Sequence, residues 1–364
     1  MNKQVIILGA GVSGLSLAWR LSKQGVDVHL LESERIVGGL AGTLREDGYC
    51  MDIGPHSFFT EDMEIRDTVL KLFDNTMVPS PRKVKFYYQG KYLDYPLTAY
   101  GVLFQMGFWS GVRAGASFLK SKIKPHVRIA PDDETVEDWA IGSFGAHLYH
   151  TFFKPYTEQF WKVPCDELSS RSIPTHTRMS FINTLRLLLK RRFSKTDWSL
   201  IEREMLPTYY PDSGFGEIAE RIAHAAQNLG SHIHLGSSAV GVDKLSGARW
   251  RVRYSSNGEL GEIEGDHVVS TIPLNLFIKM LKPSPPSEVT ASANKLDYRS
   301  LMALGMVTEK QNILNCGYIY VLNRPYNRIS EMNEFNRATS PAGENIIMVE
   351  IPCLTDSAAW KASM

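Results

Sequence analysis

The chain has 364 residues, room for two or three domains with a sizeable buried core, which excludes a small disulfide-stapled scaffold. Forty Lys and Arg stand against 39 Asp and Glu, so the formal charge is +1 and no overall field favours nucleic acid or an anionic membrane; any anion site must be local. The composition is that of an ordered globular protein, and Cys50, Cys165, Cys316 and Cys353 stand far apart with no CxxC, so neither a disulfide framework nor a zinc cluster is signalled and a reducing, cytoplasmic setting is expected.

Lys3 before the apolar run Val5 to Leu8 has the look of a secretory signal, but the run is too short and glycines follow at once. It predicts instead a buried strand over 4–8. A helix follows over 12–24, with Leu15, Leu17, Ala18 and Leu21 at helical spacing, and then a second apolar strand over 26–31, closed by Glu32. Val84 to Tyr95 predicts a hairpin turning at Gln89-Gly90, and mostly helical sequence runs on to about Met205. Within it, Leu97 to Val112 is interrupted by Gln105 and Ser110 and falls short of the roughly 20 residues a membrane span needs. A chain without a spanning segment is expected, compatible with peripheral membrane contact and with a homo-oligomer.

Phe215 to Leu229 repeats the helical pattern, and 232–235, 239–242, 250–254 and 266–270 predict strands joined by turns such as Ser256-Asn257-Gly258. Beyond a proline-rich joint at Pro283 to Pro286, 317–322 and 346–351 read as further strands. The expected fold class is α/β. A Rossmann-like dinucleotide-binding domain over 1–75 and 206–274 carries an inserted helical and antiparallel-sheet substrate domain over 76–205 and 275–364.

Chemistry begins at Gly9-Ala10-Gly11-Val12-Ser13-Gly14, a GxGxxG between the first strand and the first helix, with Glu32 at the end of the next strand. Gly9 permits the tight turn, Gly11 lets a pyrophosphate approach the backbone, Gly14 lets helix and strand close up, and the helix-terminal amides face the phosphate charge. Glu32 would accept hydrogen bonds from a ribose hydroxyl, with Ser33 beside it. A second glycine-rich backbone, Gly38-Gly39-Leu40-Ala41-Gly42-Thr43, could approach the other phosphate or the polyol chain of an elongated cofactor.

This pair of loops resembles the flavoprotein superfamily of amine oxidases, protoporphyrinogen oxidases and UDP-galactopyranose mutases. The resemblance implies FAD and a glutathione-reductase-like cofactor domain, with the flavin reaching the cleft toward a substrate domain. It also makes Val240 a cofactor-side residue. Where the superfamily often has Arg two positions before the double glycine, this chain has Ile36. Asp52-Ile53-Gly54-Pro55-His56-Ser57 resembles the superfamily's Gly-Pro-His turn against the flavin ring, which places Gly54, Pro55 and His56 there; read by itself, His56 is also explicable as a histidine satisfied within its own turn.

Two segments resemble UDP-galactopyranose mutases in particular. Phe152-Phe153-Lys154-Pro155-Tyr156-Thr157, ending at Trp161, matches a motif at the nucleotide end of the substrate pocket, so Phe152, Tyr156 and Trp161 are candidate stacking surfaces and Phe153 and Phe160 helix core. Pro325-Tyr326-Asn327-Arg328-Ile329-Ser330-Glu331 matches a motif whose Arg meets the sugar-nucleotide diphosphate; a surface ion pair of Arg328 with Glu331 or Glu334 is the other reading. Arg299, in Tyr298-Arg299-Ser300-Leu301, is a further substrate-side candidate. His56 and Arg328 are thereby the candidate catalytic residues, and a nucleotide sugar is the favoured small-molecule substrate, with no nucleic-acid partner.

The mutases carry tyrosines on the strand after the Arg motif, whereas Ile347 to Ile351 has none, and Arg171 and Arg178 do not match the spacing of their mobile-loop arginine. The basic run Arg186, Lys190, Arg191, Arg192 and Lys195 reads as that loop's anion-attracting part or as a solvated helix face. No Gly-Arg-x-Gly segment follows Trp360, so a fragment lacking a C-terminal flavin-contacting piece is expected. The favoured activity is a mutase-like flavoenzyme reaction. The alternatives are an oxidoreductase similar to protoporphyrinogen oxidases, amine oxidases or desaturases, and a non-catalytic nucleotide-binding remnant. His232 and His234 share a strand face and His147 and His150 a helix face, but no neighbouring carboxylate or cysteine completes a set, so no metal is expected.

Overall fold

A computed structural model describes residues 3–80, 83–95, 108–123, 133–173, 207–355 and 357–362. Arg178 and the basic run from Arg186 to Lys195 lie outside the described residues, as does most of the apolar stretch from Leu97. Among the described residues no helix is long and apolar enough to cross a membrane.

The chain divides into two compact units, the first from 1–80, 207–298 and 335–346 and the second from 81–206, 299–334 and 347–364. The first unit thus runs past residue 274, where the sequence placed its end. Leu281–Lys282 pairs in parallel with Val242 and Asp243, tying the following segment to the same sheet. The return at 335–346 is held by Phe335, whose ring lies 5.6 Å from that of Tyr210.

In the first unit four parallel strands stand in the order His267–Ser270, Gln4–Leu8, Asp27–Leu31, His232–His234. Both Gln4–Leu8 and Asp27–Leu31 are central; Gln4–Leu8 is covered on both faces, which is why Val5 to Leu8 reads as a continuous apolar run, and Asp27–Leu31 is covered on both faces at its Leu30-Leu31 end. Val5, Ile7, Val28 and Leu30 pack with Leu15 and Ala18 of the helix Val12–Ser22 and with Ile218, Ala219 and Ile222 of the helix Glu217–Gln227. On the other face Ile6, Leu8 and Leu31 meet Val242 and Val252 of an antiparallel sheet. That sheet is ordered Glu259–Gly265, Trp250–Ser256, Ser237–Lys244 and Leu281–Lys282. Its hairpin turns at Asn257 and Gly258, both at positive φ (50° and 86°), the backbone that an Asn-Gly pair supplies to a two-residue turn.

From Gln4–Leu8 the chain crosses to Asp27–Leu31 on one side, and His267–Ser270 lies on the other. The carboxyl end of Gln4–Leu8 is therefore a point where the strand order reverses, the place at which open α/β sheets leave a crevice for ligands.

The second unit holds a six-stranded sheet, ordered Ser300–Thr308, Asn345–Cys353, Arg328–Glu331, Tyr318–Val321, Val84–Tyr88, Lys91–Tyr95. The hairpin at its end turns through Gln89 (φ 46°) and Gly90 (φ 80°) where the sequence placed the turn. A helix Val136–Phe144 starts with Thr135 and Asp138 capping each other's backbone amides. Farther on, Tyr149–Phe153 forms a π-helical turn that runs directly into the helix Lys154–Trp161.

Candidate functional site

The turn after the first strand is closed by glycine in ways a side chain would forbid. Gly9 adopts φ +101°, and its amide donates to the Leu31 carbonyl at 2.8 Å. A Cβ on Gly9 would stand 2.7 Å from Thr271 Oγ1, and one on Gly14 would stand 2.0 Å from the Gly9 carbonyl oxygen, so strand, turn and helix meet backbone to backbone. Thr271 donates to the carbonyl of Leu8 at 2.8 Å and fastens the turn from the neighbouring strand.

Gly11 is different. Its backbone is ordinary (φ −67°), and a Cβ there would meet only the Gly38 carbonyl oxygen, at 4.0 Å. No packing among the described residues demands glycine at this position, and what a methyl group would fill is the space in front of the helix N-terminus. Val12 and Ser13 open that helix, exposed and without a side-chain cap, so its first amides have no intrahelical partner. These residues fit a pyrophosphate: open backbone, unspent N–H donors and the positive end of a helix dipole.

The second glycine segment lies against the first. The Gly38 amide donates to the Ala10 carbonyl at 2.8 Å, Gly11 and Gly38 form a parallel bridge, and Gly39 brings a would-be Cβ within 3.3 Å of Gly11 Cα. Leu40, 81% exposed, stands on the short turn that follows. Glu32 is nearly buried at the end of its strand; Oε2 accepts from the Ala10 amide at 2.7 Å, and Oε1 accepts from Ser33 Oγ and the Glu34 amide, each at 3.0 Å. The acid thus pins the glycine turn and retains one lone pair on Oε2 for a further donor. Ser237 donates its amide to the Glu32 carbonyl at 2.7 Å. Three residues on, Val240 is the extra residue of a β-bulge and is left 46% exposed.

Two expected cofactor residues have roles inside the protein. Thr43 is buried, donates to Asp52 Oδ1 at 2.6 Å and accepts from the Gly216 amide at 2.7 Å, so its hydroxyl is committed to the scaffold. His56 follows Gly54 (φ +91°) and buried Pro55 and stacks on Phe215, with ring centroids 5.1 Å apart. Behind both lies Asp52, fully buried, which accepts also from Tyr210 Oη at 2.6 Å and the Phe215 amide at 2.9 Å. Burial pushes the Asp52 carboxyl up, against the hydrogen bonds of Thr43, Tyr210 and Phe215 and the charge of His56 that favour its ionised form. Burial and the neighbouring Asp52 push the Tyr210 phenol up in turn. Asp52, Tyr210, Phe215 and Thr271 carry this scaffold and were not singled out from sequence; an acid two residues before a Gly-Pro turn was the one available signal.

In the second unit the substrate-side candidates separate. Phe152 is 2% exposed, inside a core of Phe86, Leu93, Ala114, Leu148 and Leu322, so its ring is no open stacking surface. Phe152 and Phe153 both lie in the π-helical turn Tyr149–Phe153, and Phe153, expected as helix core, stacks on Phe144 at 4.5 Å. Tyr156 is half-buried, edge-on to Tyr320 at 5.0 Å, and the Arg299 guanidinium donates to the Trp161 carbonyl.

Arg328 pairs with neither Glu331 nor Glu334. It faces Glu350 across the sheet and holds that 1%-exposed carboxylate at two points, Nη2 to Oε1 at 2.7 Å and Nε to Oε2. Burial alone would lower the guanidinium's pKa, but the hydrogen bonds and charge of Glu350 raise it above its usual range. Its Cζ lies 5.1 Å from the Tyr318 ring, and Tyr320 stands opposite Arg328 in the ladder. Tyrosines absent from 347–351 are thus present on the other neighbouring strand, where the alternation Tyr318-Ile319-Tyr320 was their signal.

The histidines expected to lack a carboxylate have one nearby: parallel pairing sets Asp27 and His29 beside His232 and His234. His147, by contrast, lies 3.1 Å from Ser110 Oγ.

A model of a family described as flavin containing amine oxidoreductase matches residues 12–356. Among curated proteins, protoporphyrinogen oxidase 1 of Spinacia oleracea chloroplasts is 23% identical over 326 residues, 85% of this chain and 57% of its own length. A dTDP-fucopyranose mutase of Escherichia coli is 24% identical over 171 residues, 46% of this chain and 44% of its own. The chain spans about half the length of these relatives. A crystal structure of reduced UDP-galactopyranose mutase shares the fold, with a TM-score of 0.77 at 21% identity over 97% of this chain and 75% of that one.

Proposed function

The chain belongs to the flavin containing amine oxidoreductase family, and on that premise we propose that it is an FAD-dependent enzyme whose paired glycine loops hold the adenosine and pyrophosphate half of the cofactor. The observation that carries this reading is Gly11, open on its side-chain side, in front of uncapped helix amides and bonded through its neighbour Ala10 to the Gly38 loop. Gly11, Val12 and Ser13 would meet the pyrophosphate on the turn that Gly9 and Gly14 close, Glu32 and Ser33 the ribose, Gly38, Gly39 and Leu40 the chain beyond, and Val240 the adenine; Gly54, Pro55 and His56 would face the flavin. Thr43 supports this set through the Gly216 amide and Asp52. When bound, FAD supplies two-electron redox chemistry and, once reduced, a nucleophilic ring nitrogen.

For substrate, the favoured reading is a nucleotide sugar and a mutase-like reaction. It rests on the resemblance of the 152–161 and 325–331 segments and on the grouping of Arg328 with Tyr156, Tyr318 and Tyr320. Tyrosine rings offer stacking faces and hydroxyl donors, and two of the five guanidinium N–H donors serve Glu350, which leaves others for a phosphate. One observation favours the oxidoreductase reading: Glu350 already neutralises Arg328, so the site draws an anion less strongly than a lone Arg would, and a neutral or cationic substrate is compatible with it.

The purified chain is titrated with FAD and followed by flavin absorbance and fluorescence; saturable binding that Gly11→Ala weakens is expected, and no binding by a well-folded chain overturns the reading. With flavin bound and reduced anaerobically, interconversion of UDP-galactose supports the mutase branch. Its absence together with oxygen uptake on amines or porphyrinogens supports the oxidoreductase branch.

A further inference from the structure

We propose that Asp27, His29 and His232 form a binding site for one transition-metal dication of the zinc class, at the Asp27 end of the sheet face turned away from the helices and built from none of the residues of the glycine cradle. The strand Asp27–Leu31 pairs in parallel with His232–His234, and the register sets His29 beside His232 and Leu31 beside His234. Side chains alternate along a strand, so Val28, Leu30 and Ile233 enter the core beneath the helices. Asp27 and His29 on one strand, and His232 and His234 on the other, project together from the opposite face. There the three rings stack: His29 lies 4.7 Å from His232 and 5.5 Å from His234.

The donor atoms converge. Asp27 Oδ1 is 3.6 Å from His29 Nε2 and 3.9 Å from His232 Nε2, and one ligand atom from each of the three lies within 4.8 Å of the others. Zinc bonds of about 2.0–2.1 Å in a tetrahedron need donors about 3.4 Å apart, so the two carboxylate-to-ring distances are within about half an ångström of that spacing and the third pair closes by at most about 1.4 Å. His232 is 58% exposed at its side chain and can make that adjustment. Both carboxylate-to-ring distances exceed hydrogen-bond reach, so the carboxylate faces two imidazole nitrogens without a proton shared between them.

The fourth residue orients the first. His29 Nδ1 lies 3.3 Å from His234 Nε2, a contact that engages one ring nitrogen of His29 and leaves Nε2 directed at Asp27, the arrangement in which metal-bound imidazoles are held by a partner on their second nitrogen. Two imidazoles and a carboxylate suit Zn2+, Ni2+ or Cu2+ over Mg2+ or Ca2+, with a fourth position open to water. An ion held there would clamp the edge strand His232–His234 to its neighbour.

The test titrates the full chain, free of any affinity tag, with Co2+ as a spectroscopic probe and Zn2+ as competitor. One Co2+ per chain is expected, with visible bands of a low-coordinate nitrogen and oxygen set that Zn2+ abolishes and a melting temperature that rises with Zn2+. His232→Ala and Asp27→Asn should each weaken binding by about tenfold or more, while exposed His150→Ala leaves it unchanged. His232→Ala alters an exposed side chain, so the fold survives to be measured by circular dichroism. Binding that neither variant moves, or no stoichiometric binding to the folded wild-type chain, overturns the proposal.

Discussion

Gly38 lies beside Gly11 in an isolated parallel bridge, and its carbonyl oxygen stands 4.0 Å from where a Cβ on Gly11 would be. The same exercise on Gly14 puts a methyl group 2.0 Å from the Gly9 carbonyl oxygen. The two glycines of one motif therefore do different work, and substitution separates them. Gly11→Ala should leave thermal stability within about 1 kcal/mol of wild type, since its backbone accepts alanine, yet weaken FAD binding. Gly14→Ala should cost at least about 2 kcal/mol, because backbone and not a flexible side chain would have to give. Paired melting and flavin-titration curves for the two variants check this.

Glu32 holds the Ala10 and Glu34 amides and the Ser33 hydroxyl with one carboxylate. Glu32→Ala orphans these donors at about 1–3 kcal/mol for each that water cannot reach, and it also removes the proposed ribose acceptor. Lower stability and weaker FAD binding are expected together. Added FAD should restore less of the melting temperature than it adds to wild type.

Asp52 accepts three hydrogen bonds while fully buried. Asp52→Ala should cost about 3 kcal/mol or more by leaving Thr43, Tyr210 and the Phe215 amide unsatisfied, whereas Asp52→Asn keeps an acceptor for two of them and should cost less. Burial holds the folded carboxyl above its unfolded value of 3.8, so the native state binds the proton more tightly. Between the unfolded and folded values this group's contribution to stability is present at the acid end and is lost as pH rises. Urea unfolding at a series of pH values should show that decline in wild type and a flatter profile in Asp52→Asn.

Arg328 and Glu350 form a two-point pair in which the carboxylate is 1% exposed. Arg328→Ala should cost about 3 kcal/mol of stability, chiefly from the charge left behind on Glu350, and Arg328→Met combined with Glu350→Gln should recover part of it. If the guanidinium also meets a diphosphate, Glu350→Gln should tighten UDP binding by up to about tenfold, because a competing anion has been removed. Calorimetry showing no change in UDP affinity for Glu350→Gln would withdraw Arg328 from the proposed substrate site.

The arrangement of elements was largely legible in the sequence where periodicity and turn chemistry agree. Val5 to Leu8 are apolar on both faces because both faces are covered, and Gln89-Gly90 and Asn257-Gly258 turn where their tolerance of positive φ allows. The burial of Phe152 was not legible: the motif shared with the mutases implied a stacking surface, and only the packing of Phe86, Leu93 and Leu322 around it encloses the ring. Nor was the Thr43 hydroxyl's commitment, because Asp52 meets it across a short hairpin while Gly216 reaches it only after the chain has returned from the second unit.

The glycine cradle is a local device. A strand, a turn, a helix and an acid follow one another within the first 32 residues, and the contact that demands glycine at Gly14, with the Gly9 carbonyl oxygen, is made inside that stretch. Sequence by itself therefore determined the glycine turn and its position, on which the proposed cofactor site is built. Only the tertiary structure decided that Arg328 spends two donors on Glu350, that Asp52 is gripped by Tyr210 from 158 residues away, and that His29 meets His234 from 205. Those pairs depend on strand register and on which partner lies within about 3–4 Å, a distance that no spacing along the chain encodes.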